Sequence, residues 1–243
     1  GYSIPQNGRT GLRVSLLRRD GFAGAVRLNL SEASKTAGLT LDGTWIGPGE
    51  SSAVAILSGL STIDAASPTR FLNLEATTEV EPSEVKHARA ITLLRAGATE
   101  GRFMDRLPVS VMTEFPLSID LSISESEVQS GGKLVFTLKH TLTAGSLKAD
   151  AKIEFSVLPT GMKAPSAVVK VGAAESSVEL MIPDKLPAGR YSLAALVQAT
   201  VVSELDEAKT ETAPKEQAFR VWSNSVSFQV IPRIKDDSAA PVK

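Results

Sequence analysis

Leu117-Ser118-Ile119-Asp120-Leu121-Ser122-Ile123 alternates aliphatic and polar residues without a fault. A strand sends successive side chains to opposite faces, so this spacing builds one apolar face of a half-buried β-strand. The same period of two follows at Leu134, Phe136 and Leu138 and at Ile153, Phe155 and Val157. It continues at Val178, Leu180 and Ile182, at Tyr191, Leu193, Ala195 and Val197, and at Val226, Phe228 and Val230. Upstream it is found at Leu12, Val14 and Leu16 and at Val26, Leu28 and Leu30. The runs are bounded by Gly, Pro, Ser or Asn, and short strands at this spacing predict a sandwich. Residues 31–37 and 204–216 are dense in Ala, Glu and Lys, but neither carries an apolar stripe at helical spacing, so both are expected to be loops.

The order of these parts occurs twice. Gly11-Leu12-Arg13-Val14 answers to Lys133-Leu134-Val135-Phe136 with Leu12 and Leu134 in register, and Gly38-Leu39 answers to Gly161-Met162. Val54 and Ile56 then correspond to Val178 and Leu180. Leu72, Leu74 and Ala76 correspond to Tyr191, Leu193 and Ala195, with Arg70 and Arg190 shortly before. A repeated order of this kind predicts duplication, with small offsets absorbed by loops. At 243 residues the chain can bury two cores of ordinary size. The expected division is a first sandwich over 1–97, a connector over 98–116, a second sandwich over 117–233 and a disordered tail over 234–243. The connector holds Phe103, Met104, Leu107, Val109, Val111, Met112 and Phe115, which are too apolar for a flexible linker, so it is expected to pack between the domains. The tail, with Asp236-Asp237-Ser238-Ala239-Ala240-Pro241, cannot bury enough apolar surface to order itself.

Arg18-Arg19-Asp20-Gly21-Phe22-Ala23-Gly24-Ala25-Val26-Arg27-Leu28, with Gly38-Leu39 downstream, resembles a stretch of the Ig-like repeats of large exported bacterial proteins, of the kind found beside pre-peptidase C-terminal-type domains. Leu158-Pro159-Thr160-Gly161-Met162 resembles a turn of the same repeats. The resemblance touches both halves and implies an all-β chain of two tandem immunoglobulin-like antiparallel β-sandwiches in an extracellular or periplasmic setting; it specifies no activity. Such repeats carry a strand ahead of the one at Gly11-Leu12, and only Tyr2-Ser3-Ile4 stands there to supply it. The first sandwich is therefore expected to be truncated at its N-terminus or completed by upstream sequence.

Composition narrows the function classes. Basic and acidic residues number 26 and 27, so no excess positive charge advertises nucleic acid or an anionic membrane. The absence of cysteine removes disulfides, thiolate nucleophiles and thiolate metal sites together. The longest apolar runs, residues 53–57 and 194–197, fall far short of the ~20 residues a membrane-spanning helix requires. The N-terminus has neither an initiator methionine nor a basic region ahead of an apolar stretch, so any signal peptide is expected to lie outside these residues.

Few residues carry chemistry. His87 and His140 stand in or beside strands of different halves with no second ligand at metal-binding spacing. Ser130-Gly131-Gly132-Lys133 fits a Ser-x-x-Lys pattern, but it opens a strand instead of a helix, and its glycines suit a turn of positive φ. Glu204, Asp206, Glu207 and Glu211 are the densest acidic group, yet they lack calcium-loop spacing and are interspersed with Lys209 and Lys215. Trp45 and Trp222 each adjoin a β-branched residue, Ile46 and Val221, which predicts packing in a core or between domains; stacking on a sugar is the other reading. No catalytic, cofactor-binding or metal-binding residue is expected, and the ligand-binding residues are undefined. The expected function is a non-catalytic structural or protein-interaction module of a larger exported or cell-surface protein. The alternative is a carbohydrate-binding module attached to a secreted enzyme. Expected partners are a protein or cell-envelope component, or a polysaccharide, with no nucleic acid and no membrane insertion of this segment.

Overall fold

The computed structural model describes residues 2–35, 38–59, 69–78, 85–87, 90–93, 101–104, 106–155, 157–203 and 215–233. The acidic group at 204–211 and the tail at 234–243 lie outside the described residues. Within them the chain is all-β: two Ig-like sandwiches built on one plan.

Two apolar cores account for the alternating runs. Ile4, Leu12, Val26, Leu28, Leu30, Leu39, Ile46, Ala55, Leu57, Leu72, Val109 and Val111 meet in the first. Leu117, Ile119, Leu121, Leu134, Phe136, Leu138, Ile153, Phe155, Val178, Leu180, Tyr191 and Phe228 are among those meeting in the second. Each fully buried aliphatic or aromatic side chain of this size contributes about 1.5–3 kcal/mol over leaving it in water. In the first sandwich, Arg9–Ser15 and Leu39–Leu41 flank Ser52–Gly59 in one sheet. In the second, Leu117–Ile123 and Glu175–Met181 flank Lys133–Leu142.

The opposing layer of each unit turns on one broken strand. Thr69–Leu72 pairs with Leu107–Met112, and after Asn73 the chain resumes as Leu74–Thr78 beside Val26–Leu30. In the same way Gly189–Leu193 pairs with Val226–Ile231, and after Ala194 it resumes as Ala195–Val202 beside Ala151–Phe155. Each unit also runs a short early strand parallel to its last: Tyr2–Pro5 to Leu107–Met112, and Glu127–Gln129 to Val226–Ile231. The second unit adds a tyrosine corner, in which the Tyr191 hydroxyl donates to Pro187 O at 2.8 Å while the ring stacks on Phe228.

Three sequence readings are corrected here. Leu107–Met112 is a ladder strand of the first sandwich, not part of a connector, because Val109 and Val111 alternate inward and are buried. Gly101–Met104 also pairs as a strand, with Ala90–Leu93. Residues 31–37 contain one helical turn, Glu32–Lys35. It forms because the Ser34 hydroxyl, buried under the sheet, accepts the Asn73 N–H at 2.8 Å and so satisfies the backbone where the strand breaks. Finally, the repeat is shifted at one strand: Ala53, Ala55 and Leu57 face the first core as Val178 and Leu180 face the second. Val54 and Ile56 point the other way.

The break at Ala194 is matched by a bulge. Leu193 pairs with Val226 and Leu196 with Trp222, so Ala194 and Ala195 oppose three residues, Ser223, Asn224 and Ser225. Ser223 Oγ accepts the Ala195 N–H at 2.9 Å. The Asn224 amide acts as a piece of backbone: Oδ1 accepts the Leu121 N–H at 2.7 Å and Nδ2 donates to Leu121 O at 2.8 Å. It thereby ties the two layers together. Asn224→Ala leaves both Leu121 groups unmet and is expected to lower stability in urea unfolding by about 1–3 kcal/mol. A loss of only a few tenths would show that water replaces the amide there.

Candidate functional site

The joint between the sandwiches starts from one strand that is apolar on both faces. Along Ser52–Gly59, Ala53, Ala55 and Leu57 enter the first core, while Val54 and Ile56 meet Ala194, Val157 and Trp222 of the second unit. Ile56 is fully buried, and its cross-strand neighbour on the ladder is Gly11. That glycine leaves a socket for an indole: a Cβ at Gly11 would stand 2.5 Å from Trp222 Cε2. Gly47 does the same for a phenol ring, since a Cβ there would stand 2.0 Å from Tyr191 Cε1. Val157 holds φ at 54°, a conformation costly for a β-branched residue, at this contact.

Beside the apolar patch runs a polar layer. The Trp45 N–H donates to Ser192 Oγ at 2.9 Å, Ser192 and Ser227 hydroxyls meet at 2.8 Å, and Ser227 Oγ donates to Gly43 O at 3.0 Å. Read in that order, each hydroxyl gives one proton and receives one, so the chain of bonds is satisfied throughout. The Asp42 carboxylate accepts the Ser225 N–H at 3.1 Å. Burial pushes its pKa up, with the Ser225 hydrogen bond and the Arg9 charge acting against that shift. Arg9 reaches across with Nη1 on Ile119 O at 2.7 Å and Nη2 on Asp120 Oδ1 at 2.9 Å. At the far side the Glu50 carboxylate takes the Thr160 N–H at 2.7 Å and its hydroxyl at 3.1 Å.

Arg18 positions the loop that carries these contacts. Its guanidinium donates to Glu50 O at 2.8 Å, Gly24 O at 2.7 Å and Gly47 O at 2.8 Å. Burial lowers its pKa, opposed by the nearby Glu50 and Tyr191. Burial also holds the Tyr191 hydroxyl well above the usual range for a phenol.

The two tryptophans flagged in the sequence are both brought to this joint. Trp45 is 8% exposed, with the guanidinium carbons of Arg27 and Arg190 5.8 and 5.2 Å from its ring centroid. Trp222 is half-buried over Gly11. An open groove runs along one edge, lined by Pro48, Glu50, Thr160, Pro183, Asp184 and Pro187. Its Glu50 carboxylate is already engaged by the Thr160 N–H and hydroxyl.

The other candidates are not brought together. His140 lies half-buried in Lys133–Leu142, its Nδ1 making no hydrogen bond among the described residues, and His87 is in Val85–His87 of the first unit. At Ser130-Gly131-Gly132-Lys133, Gly131 takes φ 79° in a turn, the Ser130 hydroxyl faces Leu186 O and Ile231 O, and Lys133 pairs with Glu179 at 2.7 Å. Among the described residues no group of three His, Asp or Glu could hold a metal ion, and no helix is long and apolar enough to cross a membrane. The aliphatic half of the joint was missed in the sequence, although its signal was present: at 53–57 and 194–197 the alternation gives way to unbroken apolar residues.

Two outcomes test the joint. Gly47→Ala drives a Cβ into the buried Tyr191 ring and is expected to cost about 1–3 kcal/mol, splitting one cooperative thermal transition into two; a single unchanged transition would show that the units are not coupled through this contact. Asp42 with a raised native pKa favours folding fully below its unfolded pKa and loses that contribution as pH rises through the native value. Urea titrations from acid to neutral pH should therefore show Asp42→Asn gaining stability relative to the parent as pH increases. A constant difference would mean that the carboxylate stays hydrated.

No sequence-family model and no curated protein matches the chain. Among solved structures it is similar to the protocadherin gammaB7 EC3-6 cis-dimer (12% identity, TM-score 0.25, 97% of this chain and 47% of that one). It is also similar to domains 4-9 of the surface layer protein SbsC (13%, 0.29, 96% and 30%). A third similarity is to the fibronectin(III)-like modules of Clostridium thermocellum CbhA (12%, 0.24, 96% and 90%). The chain spans less than half the length of the first two.

Proposed function

We propose that these two sandwiches, divided at residues 113–116, form a non-catalytic structural or protein-interaction module of a larger exported or cell-surface protein. The observation that carries this reading is the joint. Its apolar patch, hydroxyl chain and cross-unit ion pair hold the two units in one fixed relation, which suits a spacer or a presenting platform. A segment that sets distance and orientation between neighbours has to resist bending, and a buried inter-unit interface supplies that resistance where a bare linker would not. Balanced charge and the absence of cysteine fit an exported setting and a protein or cell-envelope partner. Trp45 and Trp222 serve the joint, so neither is assigned to a sugar.

Small-angle scattering of the purified chain tests the mechanical half of the proposal. One rigid arrangement of the two sandwiches should fit the profile; a requirement for two independently moving bodies would remove the spacer reading. Antibody labelling of cells producing the full-length protein tests the setting, and signal confined to the cytoplasm would remove the exported reading.

A further inference from the structure

Ladder register matches the two units residue by residue. Leu72 stands opposite Leu107 at the end of its ladder, and Leu193 stands opposite Val226. One place back, the facing pair Phe71 and Pro108 of the first unit holds the position of Ser192 and Ser227 in the second. The parallel strand agrees, since Ser3 lies beside Ser110 as Glu127 lies beside Gln229. Arg106, directly ahead of Leu107, then answers to Ser225, directly ahead of Val226. This register moves the counterpart of Leu72 from Tyr191, where the sequence pattern puts it, to Leu193.

All three of these second-unit serines belong to the joint. Ser192 Oγ accepts the Trp45 N–H at 2.9 Å, Ser227 Oγ donates to Gly43 O at 3.0 Å, and the Ser225 N–H donates to the Asp42 carboxylate at 3.1 Å. The same three places in the first unit carry larger groups, two of them turned to solvent. Phe71 is 54% exposed, Arg106 is exposed, and Pro108, directly across from Phe71, is half-buried. Met112 extends this face at 36% exposure, since Pro108, Ser110 and Met112 point outward while Val109 and Val111 point inward. The face does not await a strand of its own sheet: Leu107–Met112 is already paired on both sides, with Tyr2–Pro5 and Thr69–Leu72. Aromatic rings and guanidiniums are the groups that interfaces concentrate, and a solvated surface gains nothing from the ring.

We propose that the face of Phe71, Arg106 and Pro108 seats a further Ig-like sandwich of the same protein, the one ahead of the first unit in the full-length chain. The first unit thus sits on its predecessor by the face through which the second unit sits on the first. The chemistry of the contact differs. Where the second unit sets hydroxyls against backbone groups, the predecessor offers apolar side chains to Phe71 and Pro108, and a carboxylate, in the place of Asp42, to Arg106. The ring supplies buried area, and the charge-assisted pair at its rim fixes the register. This deepens the module reading and rests on it, because it needs a protein longer than these two units.

Hydroxyl-radical footprinting, with the dose calibrated by an added peptide, reads the Phe71 ring without altering it. In the two-unit chain the ring should be oxidised as an exposed phenylalanine is. In the full-length protein it should be oxidised about tenfold more slowly, at every protein concentration. Arg106→Glu sets a carboxylate against the predecessor's own, so in the full-length protein it should return Phe71 to fast oxidation while leaving the two-unit chain as it was. Equal oxidation in both forms, a ring already closed in the two-unit chain, or no response to Arg106→Glu would overturn the proposal. Protection that grows with concentration would assign the face to a second molecule and overturn it as well. Its failure is distinct from that of the module reading. A longer protein with a preceding sandwich and an open Phe71 loses only this seat, whereas a full-length protein consisting of these two units alone removes both.

Discussion

Ile56 has no side turned to water. Its strand is shared between two apolar environments, Ala55 and Leu57 packing into one sandwich and Val54 and Ile56 against the other, and the remaining cross-unit contacts are arranged around that fact. A sheet covered on both faces cannot keep the alternation of a half-buried one, and each polar residue placed on it would need a partner. The small residues at 11 and 47 follow from the same constraint. They are flat places into which rings from the second unit fit, and rings bury much area for little lost freedom. The polar layer then disposes of the backbone groups that close approach takes away from water.

Strand positions were readable because their cause is local. Leu117–Ile123, Lys133–Leu142 and Val226–Ile231 show a period of two that any half-buried strand must show. Leu107–Met112 shows it as well, at Leu107, Val109 and Val111, but Pro108 and the apolar residues on either side disguised it as a packed connector. What identifies it as a strand is pairing with Thr69–Leu72 and Tyr2–Pro5, more than thirty residues away in sequence, and such pairings leave no local mark.

The joint was half legible. The runs at 53–57 and 194–197 were visible as exceptions, and an exception to alternation in a sandwich is a place covered twice. Trp45 and Trp222 were legible as packing residues from their β-branched neighbours. Asn224 was not, because Ser223-Asn224-Ser225 has the composition of an ordinary turn, and only the register on its two sides reveals an extra residue in the strand. Glycines 11 and 47 were equally silent. Their role is set by a ring that arrives from the other half of the chain.

The parallel pairing of an early strand with the last strand, present in both units, bears on how the molecule meets force. Tension applied at the two ends of such a unit draws the paired strands past each other along their length. The ladder between Tyr2–Pro5 and Leu107–Met112 is then loaded in shear, so its bonds share the load and fail together, where a hairpin pulled apart at its open end would lose them one at a time. Extension is thus resisted first by hydrogen bonds at the unit's boundary, before either apolar core is opened.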